Sequence, residues 1–90
     1  MITWDESKRR KNLKDLGIDL ADLDCVFDAP IVTVEDKRES YSELRMQSLA
    51  WYQGRVVFLV WTERDDGSRM ISCRYGTKHE TRAYFENLGL

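Results

Sequence analysis

One histidine, one proline and two cysteines in 90 residues remove several classes of function at the outset. With a single histidine and no CxxC or HxxxH spacing, the chain has no ligand set for structural zinc, and no metal or cofactor is expected. Cys25 and Cys73 lie far apart in apolar surroundings and read as two buried small hydrophobes, not as a disulfide. The longest apolar run, Val56–Trp61, is too short to cross a bilayer. The N-terminus shows no signal-peptide pattern, so the expected location is cytoplasmic, with no membrane contact. There is no glycine-rich phosphate loop and no GxSxG elbow. A Ser/His/Asp triad would have to use His79, which sits inside a helix-capping sequence on an exposed turn. No repeats or low-complexity segments appear, and residues 1–90 read as one small domain.

Charge is abundant instead. Charged residues make up 33% of the chain, with 16 acids against 14 bases and a formal net charge of −2. The acids dominate residues 1–40, and the balance turns slightly basic afterwards. Between Arg69 and Arg82, the bases Arg69, Arg74, Lys78 and Arg82 face one acid, Glu80. A local basic face on an acidic chain is a focused site for an anion, not a diffuse nucleic-acid coat.

The patterning predicts an α+β domain. Residues 2–4 read as a strand. Asp5 caps a helix over Glu6–Leu16, ended by Gly17. This helix carries Lys8, Arg9, Arg10, Lys11 and Lys14 on a solvated face, with Leu13 and Leu16 as a thin apolar stripe. Asp19 caps a second helix whose Leu20, Leu23, Val26 and Phe27 belong to the core, and Pro30 stops it. Ile31–Val34 reads as a strand and Glu35–Ser40 as a charged loop. From Tyr41 the period is two, with Glu43 and Arg45 alternating with Leu44 and Met46. Gln53-Gly54 interrupts. Arg55–Arg64 is apolar on both faces and belongs in the middle of the sheet. Asp65-Asp66-Gly67-Ser68 is a hairpin turn, Arg69–Tyr75 returns antiparallel, and Thr77-x-x-Glu80 is a capping box for a last helix pinned by Tyr84 and Leu88. The expected architecture is a three-stranded antiparallel meander sheet with an N-terminal strand and two helices, a C-terminal helix, and all helices on one face.

Alternation puts Met70, Ser72 and Arg74 on one face, and Arg74 is followed at once by a helix N-terminus and Lys78. Arg64 and Arg69 stand across the turn from each other. Such a set suits a phosphate, while the same residues, with Glu63 and Glu80, would equally make surface ion pairs. Pattern alone leaves both open.

The order and spacing of several further marks resemble the BrnT family of bacterial type II toxins. They are Glu43-x-Arg45, Gly54-Arg55 before an apolar strand, Thr62-Glu63-Arg64, Arg69-x-Ile71-Ser72-x-Arg74 and Thr77-x-x-Glu80 with Tyr84. Ile2-Thr3-Trp4-Asp5, Asn12-Leu13, Gly17-Ile18 and Val26-Phe27-Asp28 agree with it near the N-terminus, and Ile31–Tyr41 agrees least. The resemblance implies a RelE-like fold and a metal-independent ribonuclease that halts translation. It also implies neutralisation by a BrnA-type antitoxin with a ribbon-helix-helix part, which carries the pair to operator DNA. On this reading Arg64 and Arg74 hold the scissile phosphate, and Glu63 or Glu80 is the general base. Lys78 or His79 assists as acid. Arg45, Arg69, Trp51 and Tyr75 contact RNA, and Trp51, Tyr52 and Tyr75 stack on bases. Alternation separates Glu63 from Arg64, so Glu63 would instead orient Arg69. The rival expectation is a catalytically inactive module of the same fold that only binds an antitoxin-like partner.

Overall fold

The computed structural model describes residues 1–89. In chain order it has β1 (Ile2–Trp4), α1 (Glu6–Leu16), a 3₁₀ helix (Leu20–Asp28), β2 (Val32–Glu35), β3 (Met46–Tyr52), β4 (Arg55–Arg64), β5 (Gly67–Tyr75) and α2 (Lys78–Asn87). The strands form one sheet in the order β1-β5-β4-β3-β2. Strands β3 to β5 are the expected three-stranded antiparallel meander, and β2 extends it to four. The N-terminal strand joins it in parallel, beside β5, and makes the sheet mixed.

Local chemistry sets most boundaries. The Asp5 side chain accepts from Lys8 N at the start of α1, and Gly17 closes the helix in the left-handed region at φ 73°. Asp19 caps the next helix through Ala21 N. That helix is 3₁₀, not α: its Asp22, Asp24, Cys25, Val26 and Phe27 are all modest α formers. Gln53 and Gly54 both have positive φ, 50° and 79°, the signature of a two-residue type I′ hairpin turn. Thr77 and Glu80 form the expected capping box. The Tyr84 hydroxyl pins α2 by donating to Pro30 O at 2.7 Å.

Four expectations change. Strand β3 begins at Met46, so Glu43 and Arg45 lie in the loop before it. That loop is closed by Asp36 N donating to Arg45 O at 2.7 Å, which takes Tyr41–Arg45 out of the sheet. Cys25 is exposed, and only Cys73 is buried. Met70 does not share a face with Ser72 and Arg74. The pairing jumps from Val60↔Ser72 to Trp61↔Met70, so Ile71 is the extra residue of a β-bulge, and alternation is reset by one. Finally, the helices occupy both faces. One face, carrying Ala50, Val57, Leu59, Met70 and Cys73, packs against Ile18, Leu20, Leu23 and Val26 of the N-terminal half. Burying each such aliphatic side chain contributes roughly 1.5–3 kcal/mol. The other face carries Trp51, Val56, Phe58, Val60 and Thr62. There α2 covers one end, with Phe85 edge-on to Trp51 at 6.0 Å. The loop Asp36–Arg45 covers the other end, where Thr62 Oγ1 donates to Leu44 O.

The β4–β5 turn brings Gly67 against the start of the chain. Its φ is 127°, and a Cβ there would stand 2.6 Å from Met1 O. Gly67→Ala is therefore expected to destabilise the fold by about 1–3 kcal/mol through backbone strain and displacement of β1. Urea denaturation measures the loss; an unchanged midpoint would contradict the close packing of β1.

Candidate functional site

The face of the sheet not used by the main core carries the arginines. Across four strands the pairing lines up Val32, Leu49, Phe58 and Arg74 in one row, and Val34, Gln47, Val60 and Ser72 in the next. Side chains of a lateral row point the same way. Val56 and Val60 are buried beneath the flanking helix and loop, but Phe58 keeps part of its ring open. Two guanidinium groups stand over that ring. The Arg74 fork lies 4.4 Å from its centroid and that of Arg38 5.9 Å away.

Each of these arginines is held by its own carboxylate. Arg74 donates from Nη1 and Nη2 to Glu80 at 2.8 and 3.0 Å, and from Nη1 to Tyr75 O at 3.2 Å. Glu80 is in turn the capping-box acid, accepting from Thr77 N at 2.9 Å. The Arg74 hydrogen bonds lead in holding the Glu80 carboxyl down at about 2, against an ordinary value of 4.5. On the other side, Arg38 Nε and Nη2 donate to Asp36 at 2.9 and 2.8 Å. Asp36 is 3% exposed, and also accepts from Arg38 N, Tyr41 Oη and Gln47 Nε2. A buried carboxylate needs such saturation to remain charged, and the Arg38 hydrogen bonds are the chief reason that its pKa lies well below the usual carboxylate range.

A second arginine cluster lies further along the same face. Arg64 donates to both Glu43 oxygens, at 3.3 and 2.9 Å. Arg64 leads in lowering the Glu43 pKa, and the charges of Arg45 and Arg69 add to it. Arg45 itself stacks on Tyr41 at 4.2 Å. Arg64 is six residues beyond Phe58 on β4, roughly 20 Å at strand rise, too far for Arg64 and Arg74 to fork one phosphate together. The arginines form a track, with Arg38 and Arg74 at one end and Arg64 at the other.

The remaining sequence candidates divide between the faces. Trp51 shares the arginine face and is 41% exposed. Tyr52 is buried in the core and donates to Asp22 at 3.0 Å, so it cannot stack on a base; Tyr75 lies on the opposite face, paired with Val57, with Arg55 stacked on it at 3.7 Å. Glu63 also points away from Arg64 and accepts a hydrogen bond from Ser68 Oγ, not from Arg69. Lys78 is exposed on the first turn of α2. The capping box already satisfies the Glu80 amide, so the helix end adds little beyond the arginines. Sequence reasoning missed Arg38, Asp36 and Phe58. The Asp36-x-Arg38 pair sits in a run of charges that looks like any solvated loop, and Phe58 looks like one more core residue of β4. Among the described residues no group of three or more His, Cys, Asp or Glu is placed to hold a metal, and no helix is long and apolar enough to cross a membrane.

The Arg74–Glu80 pair has a definite pH signature. Because the folded pKa of Glu80 is depressed, its contribution to stability is complete above the ordinary value of 4.5 and is lost as pH falls through about 2. Arg74→Ala should return the Glu80 midpoint towards 4.5. Carboxyl-carbon NMR titration reads this directly, and an unmoved midpoint would show that the pair does not form in solution.

No match to a curated protein was found. The family model described as "Ribonuclease toxin, BrnT, of type II toxin-antitoxin system" matches residues 4–80, a span that contains every arginine of the track and both carboxylates that hold the Arg38–Arg74 pair. The chain belongs to the BrnT family of type II toxin–antitoxin ribonuclease toxins.

Proposed function

We propose that the chain is an endoribonuclease toxin that cleaves RNA without a metal ion and so inhibits translation in the cytoplasm. In this reading a single RNA strand runs along the arginine track, and Arg38 and Arg74 grip the scissile phosphate. The observation that carries it is the pair of guanidinium forks over one half-open Phe58 ring. Each fork is pre-aimed by a bidentate carboxylate contact. A metal-free ribonuclease sends the ribose 2′-OH against the adjacent phosphate, and negative charge accumulates on the equatorial oxygens. Two rigid donor forks held close to the phosphate position stabilise that charge.

Glu80 is the candidate base in this scheme. In the free protein it is too acidic to take a proton, because Arg74 holds it. A phosphate competing for Arg74 weakens that pair, and the carboxyl pKa rises towards a range suited to proton transfer. Lys78, exposed on the same turn, is the candidate acid. Arg45, Arg64 and Arg69 supply backbone contacts to flanking phosphates, and Trp51 a stacking surface. The partner is a BrnA-type ribbon-helix-helix antitoxin, through which the pair reaches operator DNA. One observation favours a binding-only module instead: both forks are already neutralised by carboxylates in the free chain.

Expression of the chain alone, with growth and RNA integrity followed, separates the two. Wild type should arrest growth and cleave RNA in the presence of EDTA. Arg38→Ala or Arg74→Ala should each lower cleavage by ~10²-fold or more, with Arg64→Ala causing a smaller loss that vanishes at low salt. Wild-type RNA left intact would favour the binding module. Undiminished cleavage by the Arg38→Ala, Arg74→Ala double variant would remove the clamp from the active site.

A further inference from the structure

Beside the two forks the sheet leaves a slot that no arginine fills. It measures about 170 Å³ and is lined by Val32, Val34, Gln47, Leu49, Phe58 and Glu80. Val32, Leu49 and Phe58 occupy the same lateral row as Arg74, and Val34 and Gln47 the next. With strands spaced about 4.8 Å apart, Leu49 lies roughly 10 Å from Arg74, backbone to backbone. At that spacing a single nucleotide can reach both.

The lining is chemically particular. Three aliphatic side chains and the open part of the Phe58 ring make an apolar slot that suits a flat aromatic group. Val34 is 59% exposed on edge strand β2, so the slot is open to solvent on that side. Two neutral polar residues border the slot: Ser48 Oγ is already engaged by Thr33 and Trp61, whereas Gln47 keeps an acceptor free. Its Nε2 donates to the buried Asp36 carboxylate at 3.0 Å, so its Oε1 is set as an acceptor. No hydrogen bond reaches that oxygen among the described residues, and it is not among the buried atoms left without a partner. It is therefore open to a ligand N–H.

We propose that the slot between β2, β3 and Glu80 is a nucleobase subsite, which holds the base next to the phosphate gripped by Arg38 and Arg74 and gives cleavage its base preference. The inference rests on the phosphate-clamp reading above and deepens it. The base lies against Phe58, Leu49 and the β2 valines, and presents an amino or imino N–H to Gln47 Oε1. Asp36 has two tasks in this arrangement: it aims Arg38 at the phosphate and fixes the Gln47 amide that reads the base.

The test compares ribose 5-phosphate, which has the sugar and phosphate but no base, with the four nucleoside 3′- and 5′-monophosphates. Affinity and the methyl NMR shifts of Val32, Val34 and Leu49 are both read. Val34→Trp fills the slot from an exposed edge position, and Val34→Ala leaves it open. Nucleotides should bind roughly five- to hundredfold tighter than ribose 5-phosphate, the usual range for stacking one base. They should shift the three methyl groups. Val34→Trp should abolish that advantage and leave ribose 5-phosphate affinity as it was, while Val34→Ala preserves most of it. In cleavage mapping, Val34→Trp should flatten the base preference. Equal affinity for ribose 5-phosphate and every nucleotide would overturn the base subsite and leave the clamp standing. No binding of any phosphate compound would overturn the clamp and the subsite together. If Val34→Trp weakens binding of the antitoxin and leaves nucleotide affinity unchanged, the slot is a protein interface and the inference fails.

Discussion

Strand β4 has apolar side chains on both of its faces, and so it has to be covered twice. Val57, Leu59 and Trp61 bury against the N-terminal helices, where Phe27 meets Trp61 edge-on at 5.1 Å. Val56, Val60 and Thr62 bury on the other side, beneath α2 at one end and the Asp36–Arg45 loop at the other. A chain of 90 residues has too little material to close the second face completely. The gap falls in the middle, at Phe58, and the functional candidates gather around it.

The loop that covers half of this face is held by a buried charge. Asp36 accepts hydrogen bonds from the backbone and fork of Arg38, from Tyr41 and from Gln47. Removing Arg38 would leave this buried carboxylate without its counter-charge, a cost of several kcal/mol for a buried ion. The loop therefore has one satisfactory arrangement, and that arrangement delivers Arg38 to the Phe58 ring. Glu80 does the same for Arg74 from the opposite side, and it ties the fork to the start of α2. The two arginines come from distant parts of the chain, and each is oriented by an acid close to it in sequence. Preorganised charge of this kind suits a phosphate whose negative charge grows during reaction. It also explains why an acidic chain can carry a basic site: many of its acids serve to aim bases.

Much of the fold was legible in the sequence because it is governed by local rules. The caps at Asp5, Asp19 and Thr77, the stop at Gly17, the hairpin turns and the placement of β4 in the sheet all rest on residues near one another in the chain. So does the Arg74–Glu80 neighbourhood, since a capping box fixes where its glutamate points. The resemblance carried by Glu43-x-Arg45, Thr62-Glu63-Arg64 and Arg69-x-Ile71-Ser72-x-Arg74 pointed to the same family that the matched span identifies.

Tertiary structure decided the rest, for two physical reasons. The first is that alternation holds only while the ladder is regular. The extra residue at Ile71 moved Met70 into the core and left Ser72 and Arg74 outside, and nothing in the local sequence marks the bulge. The second is that a charge in a loop looks the same whether it ends in water or in the interior. Asp36 and Arg38 became a buried hub and a site arginine only through contacts with Gln47 and Phe58, which are remote in the chain. The sequence by itself determined the elements, their order and the presence of a basic face. The packing of loop and helix over β4 determined which two arginines meet, because that depends on which surface was left to cover.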